Sequence, residues 1–313
     1  MLIAVYILIA VLLLIVFIGW FTFYVACVRR KECDWLNQKE IEASIYNNYY
    51  ELIISANRFL QEHNAQELQI ESHDGLQLHA HWVPAKNPKG TIILAHGYRS
   101  TKLVDFSMVL EFYHNWGMNL LLPDQRCHGK SEGKYITFGV KESRDMEDWI
   151  VYHNNNLGKC PVILSGLSMG ASTMLYLADR DLPENVKGII ADCGFTSPHA
   201  IISRVFRRVL HLPPVLCMWA SDLCARVFAG FGLKDKDTRT TLPNSKVPVL
   251  MVHGVNDGFV PCEMTRQGYA VCAEPKELFL VDGADHGLSF LVDGTRYTQI
   301  VIAFLEKYVE GIQ

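Results

Sequence analysis

The nine residues VILSGLSMG, at positions 162–170, decide the fold of this chain. The first four form an apolar run typical of a buried strand, and a helical pattern follows at 172–177. The motif G-x-S-x-G between them predicts a strained turn that exposes the hydroxyl of Ser168. Glycines are needed where side chains would collide with neighbouring backbone. We therefore predict that Ser168 is a nucleophile and that Gly166 and Gly170 shape its turn; an ordinary glycine-rich loop is the alternative.

Strand and helix patterns alternate on both sides of this motif. Residues 68–71 and 76–80 alternate apolar and polar side chains around Asp74-Gly75, which predicts an antiparallel hairpin. Short apolar runs then alternate with helical stretches, which predicts a parallel sheet covered on both faces. The predicted strands are 91–95, 119–122, 162–165, 186–191, 249–252 and 277–281, and the predicted helices are 104–116, 142–153, 172–177, 264–273 and 297–309. Ligands bind such sheets beyond the carboxyl ends of the strands, where Ser168 lies.

Three stretches of this sequence resemble the α/β-hydrolase superfamily. Residues 166–170 are similar to its nucleophile elbow, and AHGY at 95–98 is similar to its oxyanion loop. DQRCHGKSEG at 124–133 resembles the D-x-R-x-H-G-x-S-x-G segment of many members. The resemblance runs in the right order from about Leu68 to the C-terminus. The sequence resembles bacterial esterase-like and serine-aminopeptidase-like hydrolases, some of which are membrane-anchored. This resemblance implies an α/β-hydrolase fold with a mostly parallel sheet, helices on both faces and a helical cap.

The resemblance also implies an acid and a base that follow Ser168, because this fold orders its triad as serine, acid, histidine. His286 is the last of twelve histidines and follows a predicted strand, so we predict that it is the general base; a surface loop histidine is the alternative. Asp257 lies on the loop after strand 249–252 and is the predicted orienting acid. Asp192, at the end of the preceding strand, remains a competitor.

Backbone N–H groups of Tyr98 and Met169 are expected to form the oxyanion hole. The Tyr98 ring either lines an acyl pocket or packs within its loop. His96 and His128 resemble family positions that shape loops, and His253 is expected to be structural. The mechanism requires no metal and no organic cofactor.

The first 28 residues carry no charged side chain. About 20 apolar residues span a hydrocarbon core, so segment 1–28 is a predicted transmembrane anchor. A cleaved signal peptide, the alternative, has a basic start and a shorter apolar run. Arg29, Arg30 and Lys31 follow the segment, and the positive-inside rule then predicts a single-pass cell-membrane protein with its catalytic domain in the cytoplasm.

The rest of the chain divides into two predicted parts. Segment 29–64 is juxtamembrane and carries an amphipathic helix between Gln38 and Asn64, which packs on the domain or lies near the membrane surface. Its apolar positions at helical spacing are Ile41, Ile45, Tyr49, Leu52, Ile53, Ala56 and Leu60. Segment 65–313 is the predicted α/β-hydrolase domain, with its cap at about 195–243.

The cap region contains two helical patterns. One has apolar residues at 201, 202, 205, 209 and 210, and the other has them at 216, 219, 223, 227 and 228. These faces either cover the cleft, which would favour an acyl or aryl group, or pack on the sheet. Arg204, Arg207 and Arg208 are expected to form a solvated face, with a membrane contact as the alternative.

Composition narrows the class of partner. The net charge is −4, so the chain lacks the strongly basic character of nucleic-acid-binding domains. Nine cysteines form no C-x-x-C pair, which argues against a zinc knuckle and favours reduced, buried thiols. We expect a small-molecule ester or acyl substrate and a serine hydrolase that cleaves carboxylic esters through an acyl-enzyme. An aminopeptidase-like peptidase, an acyltransferase and a non-catalytic membrane-bound binding module remain alternatives.

Overall fold

The computed structural model describes residues 2–31, 37–39, 49–211, 213–216 and 218–308. Its strands are β1 Gln66–Glu71, β2 Gln77–Val83, β3 Gly90–Ala95, β4 Met118–Pro123, β5 Val162–Leu167, β6 Val186–Asp192, β7 Val249–Gly254 and β8 Lys276–Val281. Its α-helices are α1 Leu2–Cys27, α2 Tyr50–Glu62, α3 Lys102–Asp105, α4 Leu110–Asn115, α5 Glu142–Asn156, α6 Met169–Leu175, α7 Pro198–Leu210, α8 Met218–Cys224, α9 Thr238–Thr241, α10 Cys262–Val271, α11 Ser289–Val292 and α12 Gly294–Tyr308.

The strands form one eight-stranded sheet in the order β1-β2-β4-β3-β5-β6-β7-β8. Strand β2 pairs antiparallel with β1 and β4, and all other neighbours are parallel. Side chains alternate between the two faces: Ile92 and Leu94 join one core cluster, whereas Ile93 and Ala95 join the other. The predicted mostly parallel sheet with a covered core on each face is therefore confirmed.

One predicted helix is divided in the structure. The pattern at 104–116 predicts a continuous helix, but α3 ends at Asp105 and α4 begins at Leu110. The chain turns between them, and the turn buries both Phe106 and Val109 in the core. Tertiary burial thus overrides a local periodicity that was otherwise compatible with one helix.

Helix α1 is long and apolar enough to cross a membrane. Its buried residues are Gly19, Phe23 and Cys27, all in its C-terminal half, whereas most of the preceding turns are exposed. In the predicted amphipathic segment, α2 buries Ile53, Ala56, Phe59 and Leu60 against the domain. The predicted positions Ile41 and Ile45 lie outside the described residues.

Helices α7 and α8 lie between β6 and β7, and in the described residues α7 lines the cleft at Ser168. Helix α7 buries Ile201 and Ile202. The expected apolar face of the second pattern is instead exposed, at Trp219, Leu223, Val227 and Phe228. Helix α8 turns its small residues toward α1, where Ala220 approaches Gly19 closely, so its large apolar residues point outward. The side chains at 209, 210 and 216 are outside the described set.

Candidate active site

Ser168 occupies a strained turn between β5 and α6. Its backbone has φ 56° and ψ −113°, a conformation that a non-glycine residue adopts rarely and that is characteristic of functional sites. A Cβ at Gly166 would overlap the backbone of Gly170, and a Cβ at Gly170 would overlap the Ala95 carbonyl. Both glycines therefore allow α6 to pass close to the ends of the strands, which directs the serine side chain toward the cleft.

His286 lies between Ser168 and Asp257. Its Nε2 is 2.9 Å from the Ser168 Oγ, and its Nδ1 is 2.7 Å from the Asp257 Oδ2. Because an ionised carboxylate only accepts hydrogen bonds, Nδ1 carries the proton of the neutral ring. Nε2 is then free to accept the serine proton, which is the tautomer that a general base requires.

Asp257 receives four hydrogen bonds. Its Oδ1 accepts from the backbone N–H groups of Phe259 and Val260, each at 2.8 Å. Its Oδ2 accepts from His286 and from Nε2 of His253 at 3.0 Å. Burial opposes ionisation, but the bonds from His253 and His286 outweigh it and hold the pKa of Asp257 well below its ordinary value. The carboxylate is thus ionised throughout the neutral range, and His253, expected to be structural, helps to orient it.

A further carboxylate joins the acid loop to the histidine loop. Asp285 accepts from the backbone N–H of Gly258 and of His286, each at 2.8 Å, through one oxygen. These two bonds fix the loop of Asp257 relative to that of His286. The sequence provides no spacing rule for this contact, because the two loops are 27 residues apart.

The competing acid and the competing histidines have other partners. Asp192 accepts from the Ser289 hydroxyl at 3.2 Å, and burial raises its pKa to about 6. His96 Nε2 accepts from the Gln125 N–H at 3.1 Å, and His128 Nε2 accepts from the Arg99 N–H at 2.9 Å. Burial lowers the pKa of these histidines to about 4 and about 3 respectively. Both rings are neutral and hold loops together, as the resemblance implied.

Of the predicted oxyanion donors, Tyr98 lies on the loop after β3, and Met169 begins α6 directly after Ser168. Within the described part of the chain, the amides of Tyr98 and Met169 donate to no other protein atom. Asp105 supports the loop that carries Tyr98, because its carboxylate accepts from the Gly97 N–H and the Ser100 hydroxyl, each at 2.5 Å. Burial raises the pKa of Asp105 to about 6 despite these bonds. Nothing in the local sequence pattern indicated this role for Asp105.

Two cavities meet at Ser168. The smaller, about 310 Å³, is apolar and lies between α1 and α7. The larger, about 680 Å³, also contains His286 and is lined by Arg99, Arg208 and Asp105. The Tyr98 ring contributes to both cavities. This arrangement can place a carbonyl group at the serine with one substituent in each cavity.

Two cap arginines donate hydrogen bonds to the loop that carries Asp257. Arg204 donates to the carbonyl oxygens of Phe259 and Gly258 at 3.0 and 3.2 Å, and Arg208 also donates to Gly258. These carbonyls follow Asp257 directly in sequence. Arg207 and Arg208 are exposed and Arg204 is half-buried, which is compatible with the expected solvated face.

Two groups of side chains bring three potential metal ligands within 4.8 Å of one another in the described residues. One consists of Cys193, Asp257 and His286. Burial raises the pKa of the Cys193 thiol, which disfavours the thiolate that metals bind. The other contains Asp145, which is paired with the buried Arg126 at 2.5 Å. The donor atoms of both groups are therefore engaged in hydrogen bonds or disfavoured by protonation.

This chain is similar to a known hydrolase family, to uncharacterized sequence relatives and to a solved esterase structure. The profile of the family described as serine aminopeptidase, S33, matches residues 86–237. The uncharacterized protein YqkD of Bacillus subtilis is 25% identical over 239 residues, which are 76% of this chain and 78% of YqkD. An uncharacterized membrane protein of Saccharomyces cerevisiae is 25% identical over 244 residues, covering 77% and 79% of the two chains. An esterase of Pyrococcus furiosus has a TM-score of 0.64 at 22% identity, and the match covers 80% of this chain and 94% of the esterase.

These similarities agree with the resemblance of the sequence motifs to the α/β-hydrolase superfamily. The chain has the α/β-hydrolase fold, and it is similar to esterase-like and serine-aminopeptidase-like hydrolases. The family profile and the esterase neighbours support hydrolase activity. The matches to the Bacillus and yeast relatives cover more than three quarters of this chain and of each relative.

Proposed function

We propose that this α/β-hydrolase-fold protein is a membrane-tethered serine hydrolase that cleaves carboxylic esters through Ser168, His286 and Asp257. The observation that carries the proposal is the continuous relay from the serine Oγ through both imidazole nitrogens to the Asp257 carboxylate, with distances of 2.9 and 2.7 Å. The strained backbone of Ser168 and the flanking cavities support the same interpretation.

The reaction proceeds by two acyl transfers. Ser168 Oγ attacks the ester carbonyl carbon while His286 Nε2 takes its proton, and the amides of Tyr98 and Met169 stabilise the oxyanion. Collapse of the tetrahedral intermediate breaks the bond to the leaving alcohol, which receives the proton from His286. Water then attacks the acyl-enzyme with His286 again as the base, which releases the acid and regenerates Ser168. Asp257 stabilises the imidazolium that forms in each step.

The charges in the larger cavity favour an ester over an aminopeptidase substrate. An aminopeptidase needs a carboxylate that is free to bind the substrate ammonium group. Of the described acidic residues that line this cavity, Asp105 accepts from the protein through both carboxylate oxygens, and Asp285 accepts from two backbone N–H groups through one oxygen. Arg99 and Arg208 line the same cavity and would repel an ammonium group. An apolar acyl group, by contrast, fits the smaller cavity.

A substrate panel tests this proposal. We expect the full-length protein in detergent micelles to hydrolyse p-nitrophenyl acetate, butyrate and laurate at rates well above the uncatalysed background. We expect no comparable release of p-nitroaniline from alanine or leucine p-nitroanilide, because Arg99 and Arg208 line the cavity and repel an ammonium group. Turnover of the anilides alone would contradict the ester assignment and favour the aminopeptidase. Transfer of the acyl group to an added alcohol in preference to water would favour the acyltransferase.

The membrane tether and its orientation form a second part of the proposal. Helix α1 has the length and apolarity of an anchor, and the yeast relative is named a membrane protein. Arg29, Arg30 and Lys31 directly follow α1, so we expect the catalytic domain on the cytoplasmic side. Protease added to sealed inside-out vesicles should digest the domain, whereas right-side-out vesicles should protect it. The opposite protection pattern would reverse the orientation, and a domain released from washed membranes would refute the tether.

A further inference from the structure

The smaller cavity at Ser168 has a wall made by helix α1. Phe21, Thr22 and Val25 of α1 face Ile201, Ile202 and Val205 of α7 across it. The described lining is therefore almost wholly apolar, and its hydroxyl-bearing residues are Thr22, Tyr98 and Ser168. Its volume of about 310 Å³ is at the lower end of the range for ligand pockets, which suits one chain of a ligand better than a whole one.

Helix α1 is fixed to the site rather than attached to it by a loose linker. The Tyr98 hydroxyl donates to the Ala26 carbonyl at 2.8 Å. The Arg99 guanidinium donates to the Val25 and Val28 carbonyls at 2.7 and 3.1 Å, which satisfies carbonyls at the C-terminal end of the helix. The oxyanion loop and the last turn of α1 are thus held together by side chains of two consecutive loop residues.

The packing of α1 against the cap fixes the helix from a second side. Ala220 of α8 approaches Gly19 closely, and the Ser221 hydroxyl donates to the Gly19 carbonyl at 3.1 Å. Phe23 is buried in the same cluster as Phe195 and Ile201. Small residues at such crossings allow two helices to pack at short distance. The wall of the cavity therefore has a defined position relative to Ser168.

The length of α1 places this cavity at a membrane surface. The stretch before Gly19, residues 2–18, contains no buried residue and is about 25 Å long at about 1.5 Å per residue. A hydrocarbon core of about 30 Å then ends within the next one or two turns. Trp20 and Tyr24 lie there, stacked and exposed, as aromatic residues do at membrane interfaces.

The outer rim of the cavity and the neighbouring cap surface are apolar as well. Phe21 lines the cavity and is still 46% exposed, so it lies at the rim. On α8 and the turn after it, which pack beside α1, Trp219, Leu223, Val227 and Phe228 are exposed. Large exposed apolar patches mark interaction surfaces, and this one is continuous with a helix of membrane-spanning length.

We propose that this cavity binds the acyl chain of a lipid ester that enters directly from the bilayer holding α1. The inference rests on the proposed esterase function and names its substrate class: a long-chain acyl ester resident in the membrane. The acyl chain lies between α1 and α7, the ester carbonyl lies at Ser168, and the alcohol part occupies the larger, more polar cavity. The transmembrane helix is then a specificity element as well as an anchor.

The first test fills the cavity from its α1 side. We expect Val25→Phe to lower kcat/KM for p-nitrophenyl palmitate about tenfold or more, measured on full-length protein reconstituted in phosphatidylcholine vesicles. The phenyl ring fills space that the acyl chain needs, and one extra or missing methylene in an apolar pocket already changes specificity by about 10- to 200-fold. The ratio of kcat/KM for p-nitrophenyl palmitate to kcat/KM for p-nitrophenyl acetate should therefore fall about tenfold, since the acetyl group is too short to reach the wall. Leu13→Phe, on the exposed part of the same helix, is the matched control and should change neither value. An unchanged chain-length profile, or an equal loss on both esters, would overturn the proposal.

The second test concerns the route of entry. Wild-type protein should cleave p-nitrophenyl palmitate about tenfold faster when the ester is in the same vesicles than when it is supplied in separate protein-free vesicles of the same composition, because transfer through water is then required. Equal rates would overturn entry from the bilayer.

A third measurement separates this inference from the proposed function. A photoreactive palmitic acid in the same vesicles should cross-link to segment 21–25 or 201–205 in wild type and less in Val25→Phe, whether or not esters are cleaved. Cross-linking without any esterase activity would leave the acyl site standing and refute only the proposed function. Esterase activity without cross-linking to either segment would refute the acyl site alone.

Discussion

Replacing Ser168 with alanine is expected to lower kcat for ester hydrolysis about 10⁶-fold, the order of the loss measured when the serine nucleophile is removed from a comparable triad. The change removes the hydroxyl oxygen that lies 2.9 Å from His286 Nε2, so no acyl-enzyme can form at this position. Hydrolysis of p-nitrophenyl butyrate by the full-length protein in detergent micelles measures the loss. Labelling by a fluorophosphonate probe, which reacts with activated serines, should disappear in the same variant.

Ser203→Ala is the matched control for this experiment. Ser203 is a buried serine of α7, and among the described residues its hydroxyl has no hydrogen-bond partner. Its loss therefore removes a serine hydroxyl without breaking a hydrogen bond, and the variant should keep its labelling and its activity. Persistent labelling of Ser168→Ala, or loss of labelling in Ser203→Ala, would show that another serine reacts. Equal melting temperatures of Ser168→Ala and wild type would exclude unfolding as the cause of the loss.

The sequence located the candidate site because its three residues each follow a strand of one parallel sheet. The carboxyl ends of such strands meet at one edge, so chain order and strand order together predicted that Ser168, Asp257 and His286 converge. The same reasoning predicted that His96 and His128 stay out of the reaction, and the structure shows both rings engaged in loop contacts. Position relative to a strand end thus carried more information than residue type.

Chain order and strand order do not predict side-chain contacts between distant segments. No local period predicts that the Tyr98 hydroxyl meets the Ala26 carbonyl, 72 residues away. The apolar pattern around Trp219 and Leu223 predicts a face that covers the cleft or packs on the sheet, but both side chains are exposed. An apolar helix face is equally compatible with a lipid-facing surface. One signal was available: Gly19, in an otherwise bulky apolar helix, is typical of a close helix–helix crossing.

The second large effect is expected from Asp257→Asn, which should lower kcat about 10⁴-fold, as the corresponding change does in a serine protease triad. The geometry of this site gives the reason. Oδ1 is held by the N–H groups of Phe259 and Val260, so the amide oxygen of the asparagine must occupy that position. The amide NH₂ then replaces Oδ2 and points at His286 Nδ1, which must become an acceptor. The imidazole proton moves to Nε2, facing Ser168, and the ring can no longer act as a base.

Asp192→Asn is the matched control, since Asp192 ends the neighbouring strand and was the competing acid. Burial raises its pKa to about 6, so asparagine resembles a protonated form that the fold already accommodates. Among the described residues, its carboxylate accepts from the Ser289 hydroxyl and forms no hydrogen bond with His286. We expect Asp192→Asn to keep kcat for p-nitrophenyl butyrate within about tenfold of wild type, well short of the effect of removing the triad acid. A larger loss of kcat in Asp192→Asn than in Asp257→Asn would contradict the assignment. It would identify Asp192, at the end of β6, as the orienting carboxylate.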